Sequence, residues 1–189
     1  MRYVFGFLAT IGLIILILVL LLRGGGGGDS TPVPKSLVLA KYAQTGSSAE
    51  FIIDGPIVSD PKHQELKIRV SADSVTYSLY SGYQGDLIKQ TSYPNNTSAY
   101  TVFLKSLQNE GFTKGNTDKQ LTDERGVCPL GQRRIYSFDD SSKSLMRFWS
   151  TSCGTKTFEG RSSNVATLFR NQVPDYGTLS SNTEFSGFY

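Results

Sequence analysis

The side chains best suited to chemistry in this sequence are a single histidine, two cysteines and many serines. His63 lies in the polar segment 60–64, where a proline and a lysine indicate a turn. A common type of serine hydrolase places its nucleophile in a Gly-x-Ser-x-Gly turn, and no serine of this chain has that context. We therefore expect His63 to be a surface histidine, and we predict no catalytic residue.

Ligands for a metal ion or a nucleotide are also scarce. Structural zinc sites usually take four Cys and His ligands, whereas this chain offers His63, Cys128 and Cys153. The adjacent acid pairs at 123–124 and 139–140 lack the spaced oxygen ligands of a calcium loop. No glycine spacing fits a phosphate-binding loop. We therefore predict no metal site and no cofactor.

The two cysteines, Cys128 and Cys153, are expected to form one disulfide, with two buried free thiols as the alternative. A hairpin is predicted between them. If its connection is centred between Asp140 and Ser141, the cysteines lie directly opposite each other on neighbouring strands. That geometry would place them close enough for a bond.

A register centred one residue later gives better side-chain pairs in this hairpin. It pairs Phe138 with Leu145 and leaves the cysteines two residues out of step. A bulge or an irregular stretch near 129–131 would still let Cys128 reach Cys153. Both registers are therefore compatible with the predicted disulfide.

Tyrosine side chains are the remaining candidates for ligand binding. Tyr80 ends a predicted strand and Tyr83 lies in the turn that follows it. On that strand Tyr80 shares one face with Thr76 and Ser78. Such a face could bind a glycan or a peptide through stacking and hydroxyl contacts. Tyrosine also favours strands for packing reasons alone, so packing in the core or across strands is the stronger alternative.

Residues 3–22 form an uncharged apolar run. At about 1.5 Å of rise per residue, a helix of this length is about 30 Å long, which matches the hydrocarbon core of a bilayer. We predict a transmembrane anchor over 1–23 and a flexible Gly- and Pro-rich linker over 24–34. A cleaved signal peptide fits less well because no small-x-small site follows the run. A type IV pilin leader is the second alternative, and it also fits less well because the glycines at 24–28 would interrupt the long helix of a pilin subunit.

The charges flanking this run do not decide its orientation, since Arg2 precedes it and Arg23 and Lys35 follow it. We expect a cytoplasmic N-terminus and an extracytoplasmic domain, because this arrangement is common and a cysteine pair suits an oxidising compartment. The whole chain has 19 Lys and Arg against 16 Asp and Glu, a net charge of +3, with the signs interspersed. This near balance argues against nucleic acid as a partner.

The remaining sequence predicts a single α+β domain over 35–174. Alternating apolar residues indicate strands, and apolar residues three and four apart indicate helices. The predicted strands are 51–58, 65–71, 75–80, 87–93, 133–138 and 144–150, and the predicted helices are 35–43, 97–110 and about 163–173. The first four strands would form an antiparallel meander. The two longer helices would cover one face of a sheet of about six strands, and 175–189 would be a mobile tail.

Four short motifs carry a resemblance to a known group of proteins. They are Gly-Pro-Ile-Val at 55–58, Ser-Gly-Tyr at 81–83, Arg-Gly-Val-Cys at 125–128 and Trp-Ser-Thr-Ser-Cys-Gly at 149–154. The combination resembles uncharacterised single-span, membrane-anchored envelope proteins of candidate-phylum bacteria, Saccharibacteria in particular. The resemblance covers most of the predicted domain. It implies a bacterial envelope location and supplies no activity.

The expected function is that of a non-catalytic binding or interaction module, held in the cell membrane by a single span. Its partner would be another envelope protein or a surface polymer. The alternative is an envelope enzyme, such as a hydrolase, whose site is assembled from scattered polar residues. A deep pocket with converging ionisable groups would favour the enzyme, and a shallow groove would favour the module.

Overall fold

A computed structural model of the chain describes residues 37–118 and 123–186. Within these residues six strands form one antiparallel sheet. The strands are β1 (Ser47–Asp54), β2 (Gln64–Ser71), β3 (Ser74–Ser81), β4 (Asp86–Pro94), β5 (Arg133–Asp140) and β6 (Lys143–Thr151). Their order across the sheet is β4-β3-β2-β1-β5-β6. The predicted meander of the first four strands is therefore confirmed, and the predicted hairpin lies beside β1.

The helices of the described residues pack on this sheet and complete an α+β fold. They are α1 (Thr97–Asn109), α2 (Ser162–Arg170) and α3 (Tyr176–Ser180), and short 3₁₀ helices occupy Leu39–Tyr42 and Asp60–Lys62. The predicted helix over 35–43 is thus reduced to one 3₁₀ turn. None of the helices in the described part of the chain has the length and apolar character needed to cross a bilayer. The predicted anchor over 1–23 and linker over 24–34 lie outside the described residues.

Helix α1 follows the sequence prediction closely. The Asn96 side chain accepts a hydrogen bond from the Ala99 backbone N–H at 2.9 Å, which satisfies one of the free donors of the first turn. Gly111 follows the helix with a φ of +76°, a conformation that favours glycine. The predicted apolar stripe is buried, namely Tyr100, Phe103, Leu104 and Leu107.

The core lies between the helices and one face of the sheet. On β2 the alternating residues Leu66, Ile68 and Val70 are fully buried, as predicted. The Phe169 ring of α2 packs on the Phe51 ring of β1, with 5.5 Å between the ring centroids. The opposite, outer face of the sheet carries the alternate residues, and over β1 to β4 these are mostly polar and partly exposed.

The β5–β6 hairpin has neither predicted register over its full length. At the tip, Asp140 lies opposite Lys143, as the later of the two predicted registers requires. A shift between Phe138 and Asp139 then places Phe138 opposite Met146, so the predicted pairing with Leu145 is wrong. The shift brings Phe138 and Met146 together as buried residues of the core, a packing gain that a regular register would lose.

The ends of three predicted elements also differ. Strand β1 begins at Ser47, where two buried serines hide the apolar alternation, and it stops before Gly55 instead of continuing to residue 58. Helix α2 begins at Ser162 without a side-chain cap, and the Ser162 hydroxyl lies against the buried Tyr136 hydroxyl. Beyond residue 175, α3 and the fully buried Phe185 pack on the domain, where we predicted a tail.

The sheet has two ends, which differ in their connections. The turn end carries the turns at 72–73 and 141–142 and the connection at 95–96. The loop end carries the β1–β2 loop (55–63), the β3–β4 turn (82–85) and the segment that leads into β5 (123–132). The candidate site lies at the loop end.

Candidate functional site

Three ionisable side chains form a network at the loop end, in which Arg133 and His63 are buried and Asp54 is partly buried. Asp54 is the last residue of β1, and Arg133, the first residue of β5, lies directly opposite it. Arg133 Nε donates to Asp54 Oδ2 at 2.7 Å, and its Nη2 donates to the Gly55 carbonyl oxygen at 2.6 Å. His63 Nε2 lies 3.1 Å from Asp54 Oδ1. Asp54 therefore has one basic partner on each carboxylate oxygen.

His63 is buried, which corrects the prediction of a surface histidine. Its residue exposure is 5%, and its Nδ1 lies 3.2 Å from the Pro56 carbonyl oxygen. The carboxylate that faces it is Asp54, not the sequence neighbour Asp60. Both ring nitrogens are therefore engaged by oxygen atoms of the protein.

Tyr83 joins two of the loops by covering this network. Its ring stacks on the His63 ring, with 4.3 Å between centroids and 13° between the planes. Its hydroxyl donates to the Val58 carbonyl oxygen at 2.8 Å and accepts from the Val58 N–H at 3.0 Å. Its own backbone N–H donates to Asp60 Oδ1 at 2.7 Å. The β1–β2 loop and the β3–β4 turn are thereby held together by side chains.

The segment leading into β5 is attached to the same end. The Ile57 backbone N–H donates to the Pro129 carbonyl oxygen at 2.7 Å. Cys128 and Cys153 lie at disulfide distance, with 5.7 Å between their Cα atoms, as the sequence predicts. Cys128 has a φ of +55°, in keeping with the irregular approach expected near 129–131. All three loops of this end are thus tied to one another or to the sheet.

The predicted binding residues Tyr80 and Tyr83 line one cleft at the loop end. The cleft has a volume of about 430 Å³ and is also lined by Asp54, His63, Glu65, Lys67, Gly82 and Gly85. Lys67 Nζ lies 5.7 Å from the centroid of the Tyr80 ring, within the range of a cation–π contact. Tyr83 is 51% exposed. The packing interpretation holds instead for Tyr77 and Tyr100, which are buried in the core.

Glu65 is the ionisable group most affected by this surrounding. Burial raises the pKa of its carboxyl above the ordinary value of 4.5, and the charges of Asp54 and Glu50 act in the same direction. Lys67 and His63 oppose the shift. The floor of the cleft therefore disfavours additional negative charge.

The contacts of His63 bear on whether this end could carry out nucleophilic catalysis. Among the contacts of the described residues, no serine, threonine or cysteine hydrogen-bonds to His63, so no nucleophile is paired with a base. Residues 37–118 and 123–186 also contain no group of three or more His, Cys, Asp or Glu side chains placed to hold a metal ion. The network binds its own loops, and the cleft above it presents aromatic, amine and carboxyl groups.

Part of this site was within reach of sequence reasoning. The hairpin of β1 and β2 places Asp54 opposite Glu65, so His63 falls next to Gly55 and close to Asp54. A register for the predicted meander would have shown this proximity. The contribution of Arg133 had no local signal, because β5 joins β1 across 78 intervening residues.

Comparisons with known protein families and with curated proteins find no match for this chain.

Proposed function

We propose that this protein is a non-catalytic binding module of the cell envelope, anchored in the membrane by residues 3–22 with its domain outside the cytoplasm. The uncharged run and the glycine linker support the anchor. The paired cysteines support an oxidising compartment, where disulfides persist. The resemblance to envelope proteins of candidate-phylum bacteria supports the same location.

One observation carries the choice of binding over catalysis. Both oxygens of Asp54 and both ring nitrogens of His63 are held by atoms of the protein itself, whereas Tyr80 and Tyr83 line an open cleft beside them. A general base needs a free nitrogen or oxygen facing its substrate. We assign the buried pair to holding the loops, and the tyrosines to the ligand.

The chemistry of the cleft fits an extended polar chain, a peptide or a glycan. Aromatic rings offer flat faces for stacking, and the amine of Lys67 and the carboxyl of Glu65 offer hydrogen bonds. The outer face continues from Tyr80 to the partly exposed Thr76, whose hydroxyl gives a chain-like ligand a further contact, whereas Ser78 between them is buried. The ligand would therefore lie along the outer face of β3.

The location is tested by protease added to intact cells. We expect degradation of the domain from residue 29 onward, with a membrane-embedded fragment that contains residues 3–22. Full protection before permeabilisation, followed by digestion after it, would contradict the proposed orientation.

The binding site is tested by chemical crosslinking in the native envelope, followed by mass spectrometry. Tyr80→Ala should remove the crosslinked product, whereas Tyr93→Ala should keep it. Tyr93 is the matched control because it lies opposite Val75, on the core side of the sheet. If the purified full-length protein turns over envelope material and His63→Ala loses that activity, the result would instead support the alternative of an envelope enzyme.

A further inference from the structure

Most of the exposed large hydrophobic side chains of the described residues lie at one end of the molecule. Eight such side chains are exposed, and six of them lie in or beside the loops of the loop end. We call these six the apolar ridge; they are Ile57, Val58, Tyr83, Leu87, Ile88 and Leu130. The remaining two are Val38 and Val102. The clustering follows from the topology, because these residues come from three separate segments of the chain.

The ridge is held in place by contacts that do not use its exposed surfaces. Val58 is bound through its backbone to the Tyr83 hydroxyl, and Ile57 is bound through its N–H to the Pro129 carbonyl oxygen. Leu130 follows two residues after Cys128 of the disulfide and is 87% exposed. A backbone fixed in this way loses little freedom on binding, which favours affinity.

The size of the ridge is that of one side of a modest protein interface. Its members are between 38% and 87% exposed. Together they present on the order of 600 Å² of surface, at the upper limit of the largest apolar patch on a typical monomer. A standard interface buries about 800 Å² on each partner. The ridge runs from β4 to β5, four strand spacings or about 19 Å.

We propose that the apolar ridge is the docking surface for a protein partner that carries a complementary apolar groove about 19 Å long. This inference rests on the proposed binding function and adds to the polar cleft a second, apolar contact surface for a protein partner. The charges near the ridge are balanced, since Asp60 is followed by Lys62 and Asp86 by Lys89. An anionic lipid surface would instead require an excess of basic residues.

A second copy of this chain fits the ridge less well than a groove does. The ridge is the end of a single sheet and is therefore narrow, so two ridges would meet only along a thin line. A groove can enclose the ridge from both sides and exclude water from Leu130 and its neighbours. Leu130, the most exposed member, is then the main anchor of the complex.

The test uses the full-length protein in its native membrane. A photo-crosslinking benzoylphenylalanine replaces Ile57 or Leu130, and Val102 is the matched control because it is 64% exposed but lies on α1. We expect one discrete adduct with another protein from both ridge positions and none from Val102. Peptide mapping should place the adduct at apolar residues of the partner.

The identified partner is then purified and its affinity measured. Leu130→Ser should weaken binding at least tenfold, and Val102→Ser less than twofold, with unchanged unfolding of both variants. Adducts with lipid alone, adducts only between copies of this chain, or equal yields from Val102 would each overturn the proposal. If Tyr80→Ala abolishes binding and Leu130→Ser does not, the docking surface is wrong while the binding function stands. If neither ridge position gives an adduct and no Tyr80-dependent crosslinked product forms in the envelope, both the docking surface and the binding function are wrong.

Discussion

At the turn end of the sheet, polar side chains face water and bind the backbone beside them, whereas at the loop end charged side chains are buried and apolar ones are exposed. The turn end is the ordinary arrangement for a sheet. Asn95 Nδ2 donates to the Ser71 carbonyl oxygen at 2.6 Å, and Ser141 Oγ donates to the Thr45 carbonyl oxygen at 3.2 Å. Each bond ties one connection of this end to a neighbouring segment, across 24 and 96 residues of the chain respectively.

A second cleft, larger than the one beside Tyr80, lies at the turn end. It has a volume of about 550 Å³ and is lined mainly by small and polar residues, among them Arg69 and Asp73. Among the residues that the structure describes, no tyrosine and no histidine line it. Its polar groups serve the turns, and it offers a ligand no aromatic surface.

The loop end reverses this pattern. Arg133 and His63 are 4% and 5% exposed, while Leu130 and Tyr83 are 87% and 51% exposed. Burying ionised groups costs free energy that well-packed apolar residues would avoid, so a buried ion pair is poor evidence of selection for stability. The comparison indicates that the loop end is built to hold three loops in one arrangement, which is what a binding surface requires.

The sharpest test of this difference removes Arg133. Arg133→Ala would leave the Asp54 carboxylate and the Gly55 carbonyl without their buried partner, and we expect the free energy of unfolding to fall by about 3–5 kcal/mol. Urea unfolding of the full-length protein in detergent, followed by the fluorescence of the single tryptophan, Trp149, measures the change.

Arg69→Ala is the matched variant at the turn end. The Arg69 side chain is 53% exposed, and its Nε lies 3.6 Å from Glu50 Oε1, so we expect a loss of about 1 kcal/mol or less. Equal losses of unfolding free energy in the two arginine variants would show that the buried arginine of the loop end contributes no more than the exposed arginine of the turn end.

The next largest effect is expected from the disulfide of the loop end. It joins residues 25 positions apart, and the chain-entropy estimate for such a loop is about 3.5 kcal/mol. Replacing both cysteines with serine should lower the free energy of unfolding by that order. Intact mass under non-reducing conditions should lie two daltons below the reduced value. Free thiols on both residues, alkylated before lysis, would rule out the bond in the cell.

His63 should contribute a smaller amount. His63→Ala removes the contact with Asp54 and the contact with Pro56, so we expect a loss of about 1–3 kcal/mol. His63→Phe keeps a ring against Tyr83 and removes only the polar contacts, which separates stacking from hydrogen bonding. A loss below about 0.5 kcal/mol in His63→Ala would be that of an ordinary surface site and would contradict the buried network.

The smallest effect concerns the pH dependence at Glu65. Its carboxyl has a raised pKa in the folded state because of burial, so the folded protein holds this proton more tightly than the unfolded chain. The contribution of Glu65 to the free energy of unfolding should therefore fall as the pH rises from about 4 through the folded-state pKa. Glu65→Gln removes this slope and should be more stable than the wild type at neutral pH. The difference between the two proteins should disappear below pH 4, and a wild type that gains stability relative to Glu65→Gln over this range would reverse the assignment.

The repeating patterns of the sequence were sufficient for the six strands and the two longer helices, but not for the short elements near residues 39–42 and 176–180. Leu66, Ile68 and Val70 alternate, and Tyr100 and Phe103 share a helical face, because one side of each element must be apolar to pack on the core. Local hydrogen bonds and glycine conformations mark the ends of such elements, as Asn96 and Gly111 do for α1. These signals act within a few residues, so the chain itself carries them.

The site depended on contacts between distant segments, which no local pattern records. Arg133 reaches Asp54 only because β5 pairs with β1, and the shift in the β5–β6 hairpin depends on which side chains fill the core. His63 has the surroundings of a surface turn in sequence and becomes buried when Tyr83 folds over it. The sequence determined which residues alternate and which share a helical face, because these patterns are local, whereas the order of the strands decided which polar groups are buried together and which apolar groups remain exposed.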